Sequence, residues 1–124
     1  MKIYISHSRG QFDYKNGLYL PLRQSKLNSE YEIMFPHETS DEPFDSFPLL
    51  DSLGLFGAEV SFPSTGLGIE LGRASMKKVP IVCFHMAGCV PARSVRNVTE
   101  HVYQYRCTDD LIRVLTAHIG VFCK

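Results

Sequence analysis

The chain has 124 residues, 44% hydrophobic and 21% charged, with a formal net charge of zero. That suits a globular protein built as one small domain around one core, and it offers neither a nucleic-acid surface nor a polybasic membrane patch. No apolar run is long enough to span a bilayer, and the opening MKIYISHSRG lacks the apolar centre of a signal peptide. Cys83, Cys89, Cys107 and Cys123 have neither CxxC spacing nor the density of a disulfide scaffold. They are expected to be reduced thiols of a cytoplasmic protein, and closely spaced ligand pairs for a zinc site are missing.

In chain order, the β-rich apolar residues at 2–6 predict strand 1. It ends in the polar loop Ser6-His7-Ser8-Arg9-Gly10, placed where open α/β sheets bind ligands. A helix is predicted over 13–27, with Pro21 set to kink it or delay its start. Strand 2 is predicted over 31–35. It is followed by Pro36-His37-Glu38, where His37 reads as solvent-exposed. The segment 39–47 is acidic and reads as a solvated loop carrying Asp41, Glu42 and Asp45. A short helix over 47–53 is expected despite Pro48. Strand 3 follows over 53–60, thinned by Gly54 and Gly57.

Next comes the stretch 58–74, AEVSFPSTGLGIELGRA. It reads as a strand end, a loop over 61–68 dense in Ser, Pro and Gly, and a helix from 69 to about 77. Such a loop points backbone N–H groups and the positive helix end at one spot, which makes an anion site. Gly66 and Gly68 let the backbone turn and approach a ligand. Ser64 offers a hydroxyl. Glu70 is expected in the first helical turn. Taken alone, it reads more simply as a favourable helix-start charge.

Beyond it, 79–84 is a continuous apolar run, as in a central parallel strand. The segment 85–97 is a loop carrying Arg93, Ser94, Arg96 and Asn97. On residues alone, a solvated basic loop explains it as well as any site. Residues 99–105 alternate as an edge strand. A last helix starts at Asp109-Asp110, with an apolar face of Leu111, Ile112, Val114, Leu115 and Ile119.

The run Pro63-Ser64, Gly66, Gly68, Glu70-Leu71-Gly72-Arg73-Ala74 resembles the signature of the 2'-deoxynucleoside 5'-phosphate N-hydrolases. These are similar in turn to the nucleoside 2-deoxyribosyltransferases. The resemblance implies that Glu70 is the nucleophile and Ser64 the ligand of the substrate's 5'-phosphate, helped by the loop amides around Gly66 and Gly68. It places Tyr4 beside the nucleophile and His7 where the family has a phosphate-contacting serine. Arg9-Gly10 match directly. Glu59 falls where the family has an acid that neighbours the site. The family also has an Asp that helps hold the sugar and the catalytic water. Counting back from Ser64 without gaps lands on Ser46, so the expectation assumes a one-residue shift and takes Asp45, with Asp51 in reserve. Ser94 falls where the hydrolases have a serine that reaches the neighbouring subunit's phosphate.

Alternating strands and helices with short crossovers predict an α/β, doubly wound, flavodoxin-like fold. Its five-stranded parallel sheet has the order 2-1-3-4-5, with helices on both faces, in a single domain over 1–124. The expected activity is hydrolysis of (2'-deoxy)nucleoside 5'-monophosphates through a glycosyl-Glu70 intermediate, without metal or organic cofactor. The resemblance also implies a homodimer with shared sites, a small-molecule nucleotide as partner, and no nucleic acid or membrane. Two alternatives stand beside it. A deoxyribosyltransferase normally carries acids where this chain has Ser64. A non-catalytic nucleotide-binding module has no need of Glu70.

Overall fold

The computed structural model describes residues 1–122; Cys123, expected as a reduced thiol, lies outside them. Strands β1 (Lys2–His7), β2 (Glu32–Met34), β3 (Leu55–Glu59), β4 (Ile81–Met86) and β5 (Val102–Tyr105) form one sheet. Its order is β2-β1-β3-β4-β5, and every pairing is parallel. This is the topology that alternation predicts, because a parallel neighbour needs a crossover, and the crossovers carry the helices.

Period-two side chains split the core into two layers. Ile3, Ile5, Leu55, Val82 and Phe84 pack with Leu22, Leu111 and Leu115 on one face. Tyr4, Phe56, Ala58, Ile81 and Cys83 pack with Leu67, Leu71 and Val95 on the other. Each fully buried Leu contributes about 2 kcal/mol. Gly57 lies opposite Ile5 on β1, and a Cβ there would come within 2.7 Å of the Ile5 side chain. The glycine that thins the strand is what lets Ile5 lie across it.

The first face carries α1 (Leu20–Arg23), α2 (Leu27–Glu30) and α4 (Thr108–Phe122). The single helix expected over 13–27 is in pieces: a π-helical turn (Lys15–Tyr19), α1, and α2 after a break. Pro21 explains the first joint, since it has no N–H to give an earlier carbonyl and therefore sits in the first turn of α1. The second face carries α3 (Thr65–Met76) and two 3-10 turns, Phe47–Ser52 and Arg93–Asn97.

The start of α3 differs from expectation by a full turn. Ser64 is extended and accepts a hydrogen bond on its hydroxyl from the Leu67 amide at 3.3 Å. That cap, with Leu67, Leu71 and Ala74 buried, carries the helix through Gly66 and Gly68. These cost about 1 kcal/mol each as helical residues. Glu70 is therefore in the second turn, not the first.

The far end of α3 closes with Lys78 at φ 59°. There the Lys78 and Val79 amides donate back to the Ser75 and Ala74 carbonyls. A lysine in this conformation carries about 1–2 kcal/mol of strain, partly cancelled by the chain entropy a glycine would lose. Lys78→Gly is expected to stabilise the fold by about 0.5–1 kcal/mol, raising the urea midpoint. An unchanged or lower midpoint would show that the lysine is not strained there.

Candidate active site

Glu70 projects from the flank of α3 toward the carboxyl end of β1. Its Oε1 accepts a hydrogen bond from the Ser6 hydroxyl at 3.3 Å, and its Oε2 accepts one from the Ser46 hydroxyl at 2.7 Å. Burial raises the carboxyl's pKa above the ordinary glutamate value. The Ser46 and Ser6 bonds, Tyr4 and the nearby Arg73 charge hold it back down. A cleft of about 270 Å³ opens over it, walled by Phe44, Ser46, Gly66, Ile69 and Arg73. This is a carboxylate aimed into a hollow and oriented from two directions.

Tyr4 and Ser6 reach this side because alternate residues of β1 share a face. The Tyr4 ring is fully buried, stacked on Phe44 with centroids 5.8 Å apart. Burial, and then the Glu70 charge, push its pKa up. The Tyr4 hydroxyl has no hydrogen-bond partner among the described residues. Tyr4 lies close enough to Glu70 to help hold its pKa down, while the two bonds that fix the carboxylate come from Ser6 and Ser46.

Asp45 borders the cleft over Glu70 at its rim. Its carboxylate faces outward to the Arg73 guanidinium at 2.9 Å and accepts from the Phe47 amide at 3.1 Å. Asp51, the reserve, pairs with Lys77 at 2.9 Å on the surface. The residue that touches Glu70 is Ser46, buried where the ungapped count landed. The side chain from this segment that bonds Glu70 is thus a hydroxyl, not the carboxylate that was expected.

Ser64 is exposed at the start of α3. Since its oxygen accepts from Leu67, its own O–H is free to donate outward. The Thr65 and Gly66 amides lie in the first turn, where no helical carbonyl reaches them. The Gly68 amide is taken, donating to the Ser64 carbonyl at 3.1 Å. The predicted loop ligand Gly68 is thus a helical residue, and Gly66 is the glycine left for an anion. Beside Ser64, Gly10 and Gln11 of the β1 loop border a hollow of about 260 Å³.

His7 is not aimed there. It is buried on the opposite face of β1, its Nδ1 at 2.8 Å from the Ser8 carbonyl and its Nε2 at 2.6 Å from the Tyr19 hydroxyl. The carbonyl can only accept, so Nδ1 carries the proton and Nε2 accepts from Tyr19. Burial pushes its pKa down to about 4, which leaves a neutral imidazole with both nitrogens in use. His37 is buried too, against the expectation for a loop residue, and its backbone amide donates to the Tyr19 oxygen at 3.1 Å. The Arg9 guanidinium bonds the Asp41 carbonyl at 3.0 Å.

Ser94 is exposed on the Arg93–Asn97 turn. It lines a cavity of about 330 Å³ with Ser64, Gly68 and Leu71 of its own chain, on the flank of α3 away from Glu70. Among the described residues, no three His, Cys, Asp or Glu side chains gather to hold a metal ion, and no helix is long and apolar enough to cross a membrane. Of the residues that sequence reasoning passed over, Ser6 is two positions from Tyr4 on the same face. Strand periodicity alone would have found it. Phe44 has no such signal, since it reaches Tyr4 from an irregular segment.

No family model matches the chain. Over 62 residues, 50% of the chain, it is 47% identical to a Methanosarcina mazei protein named "Putative 2'-deoxynucleoside 5'-phosphate N-hydrolase 1". That match spans 38% of the relative's own length. Among solved structures, the chain is similar to the Clostridium botulinum CMP N-glycosidase, BcmB, with a TM-score of 0.67 over 95% of this chain and 99% of that one. At 17% identity, that likeness shows the shared α/β fold.

The two serine bonds yield a test. Each favours the charged carboxylate, so removing one raises the Glu70 pKa further. If Glu70 must be ionised to act, activity falls as pH drops through that pKa. The wild-type acid limb is therefore expected above the usual glutamate range, and higher again in Ser46→Ala. A limb at the same pH in both proteins would remove Ser46 from this role.

Proposed function

We propose that the chain hydrolyses the N-glycosidic bond of nucleoside 5'-monophosphates, releasing a free base and a sugar 5-phosphate. The observation that carries this reading is Glu70: a carboxylate in a cleft, steered by Ser6 and Ser46, one helical turn and a half from an uncommitted anion-binding helix start. Breaking the bond builds positive charge at C1'. A carboxylate on the face opposite the base traps it as a glycosyl ester, which water then opens. Ser64 and the Thr65 and Gly66 amides hold the phosphate, which fixes C1' over Glu70. Tyr4, buried beside Glu70, helps keep that carboxyl ionised for the attack. The names of both similar proteins describe base removal from nucleotides, and Ser64, where a transferase carries an acid, favours hydrolysis over base exchange.

The free thiols Cys83, Cys89 and Cys107 fit a reducing, cytoplasmic setting. The proposal includes a homodimer. Ser94 is exposed, and Leu67, Leu71 and Val95 line the cavity beside it. A second copy seated there would bury that apolar wall and bring a Ser94 to its partner's phosphate.

Two experiments test the proposal. Wild type is incubated with ribo- and deoxyribonucleoside monophosphates, with and without an added free base. Base release without an acceptor is expected, abolished in Glu70→Ala while monophosphate binding persists. A covalent sugar trapped on any other residue would overturn Glu70, and exchange without release would make the chain a transferase. For the dimer, Glu70→Ala is mixed with Ser94→Ala under subunit exchange. In a mixed dimer one site carries both defects and the other neither, so activity should return. A fully active monomer in sedimentation would rule the shared site out.

A further inference from the structure

A buried acid stands on the other face of the sheet from the half-buried Glu70. Glu59 ends β3, the central strand, and is 1% exposed. Every group around its carboxylate donates. The Ser61 amide reaches Oε1 at 2.6 Å, the Ser61 hydroxyl reaches Oε2 at 2.9 Å, and the Tyr105 hydroxyl from the end of β5 also bonds Oε2. The Ser61 hydroxyl accepts in turn from the Met86 amide at the end of β4, at 2.8 Å. Ser61 is thus fastened directly to the ends of β3 and β4, and through Glu59 to Tyr105 at the end of β5. The amide just before it, of Val60, is bonded to the Phe84 carbonyl at 2.9 Å.

Only Phe62 and Pro63 separate this clip from Ser64. Proline has its φ locked near −65°, so few soft backbone angles lie between Ser61 and the start of α3. An error in the position of Ser61 passes almost undamped to the Ser64 hydroxyl and the Thr65 and Gly66 amides. A carboxylate is the group for this place. An amide side chain of the same shape offers one acceptor oxygen and would turn its NH₂ toward the Ser61 or Tyr105 donors.

We propose that Glu59 is a positioning residue for phosphate: with Tyr105 and Ser61 it sets the geometry of the loop that presents Ser64, and so determines affinity for the 5'-phosphate rather than the rate of bond cleavage. This rests on the function proposed above. Glu59 itself touches no substrate, and it is separated from Glu70 by the sheet.

The test compares each monophosphate with its matching nucleoside, and adds direct binding of ribose 5-phosphate by calorimetry. Glu59→Gln is expected to raise KM for monophosphates about tenfold, the size of one lost charge-assisted hydrogen bond. kcat should stay within about threefold, and the nucleosides should be unaffected. Ser64→Ala is the direct comparison and should show the same split. Tyr105→Phe, which removes one donor and keeps the ring, should shift KM in the same direction by less, and it carries the test if Glu59→Gln does not fold. A fall in kcat with KM unchanged, an equal loss for nucleosides and monophosphates, or no change at all would each overturn the proposal. If wild type releases no base but binds ribose 5-phosphate, and Glu59→Gln weakens that binding, the clip stands and the hydrolase reading falls.

Discussion

Taking a carboxylate out of water is costly unless donors replace the water, and the carboxyl edge of this sheet is arranged around that demand twice. On the α3 face, Glu70 is met by hydroxyls from β1 and from the segment before the Phe47–Ser52 turn. On the other face, Glu59 is met by Ser61 and Tyr105. The first set leaves a carboxylate turned into a cleft. The second uses up its acceptors inside the protein. The difference in what each acid still has to offer separates the proposed nucleophile from the proposed positioning residue, although both are raised in pKa chiefly by burial.

Most of the architecture is legible in the residues because it follows from repetition. The apolar runs, the spacing between them and the alternation along β1 and β3 are enough to specify a parallel sheet, while its order of β2-β1-β3-β4-β5 is read from the structure. Boundaries are less legible where two signals compete. Gly66 and Gly68 read as loop, and only the cap from Ser64 and the burial of Leu67 and Leu71 make them helix. Pro21 announces a break, but not the π-helical turn ahead of it.

The site divides in the same way. Glu70, Ser64 and Tyr4 lie on regular elements, and their neighbourhood follows from period and position. Asp45 and Ser46 lie in an irregular segment, where one residue decides whether a side chain faces the cleft or the solvent. There, residue type argued for the acid, while the count of positions argued for the serine. In the structure the serine bonds Glu70, and the acid bonds Arg73 at the edge of the same cleft. His7 shows the opposite limit. Its loop position suggests a ligand, yet the strand carries it one residue further, onto the face where Tyr19 and the Ser8 carbonyl take both nitrogens.

The segment that carries Phe44 has a further property. It is attached to the body by the solvent-exposed Arg9–Asp41, Lys15–Asp41 and Arg73–Asp45 pairs, by the ring contact of Phe44 on Tyr4, and at its end by the buried Ser46, whose hydroxyl donates to Glu70 at 2.7 Å. Exposed pairs of this kind contribute about 0–1 kcal/mol each and weaken in salt. Moving the part ahead of Ser46 breaks no strand pairing, although lifting Phe44 uncovers the Tyr4 ring. Displacing the wall ahead of Ser46 therefore costs exposed pairs and one ring contact, while the Ser46 bond keeps Glu70 oriented.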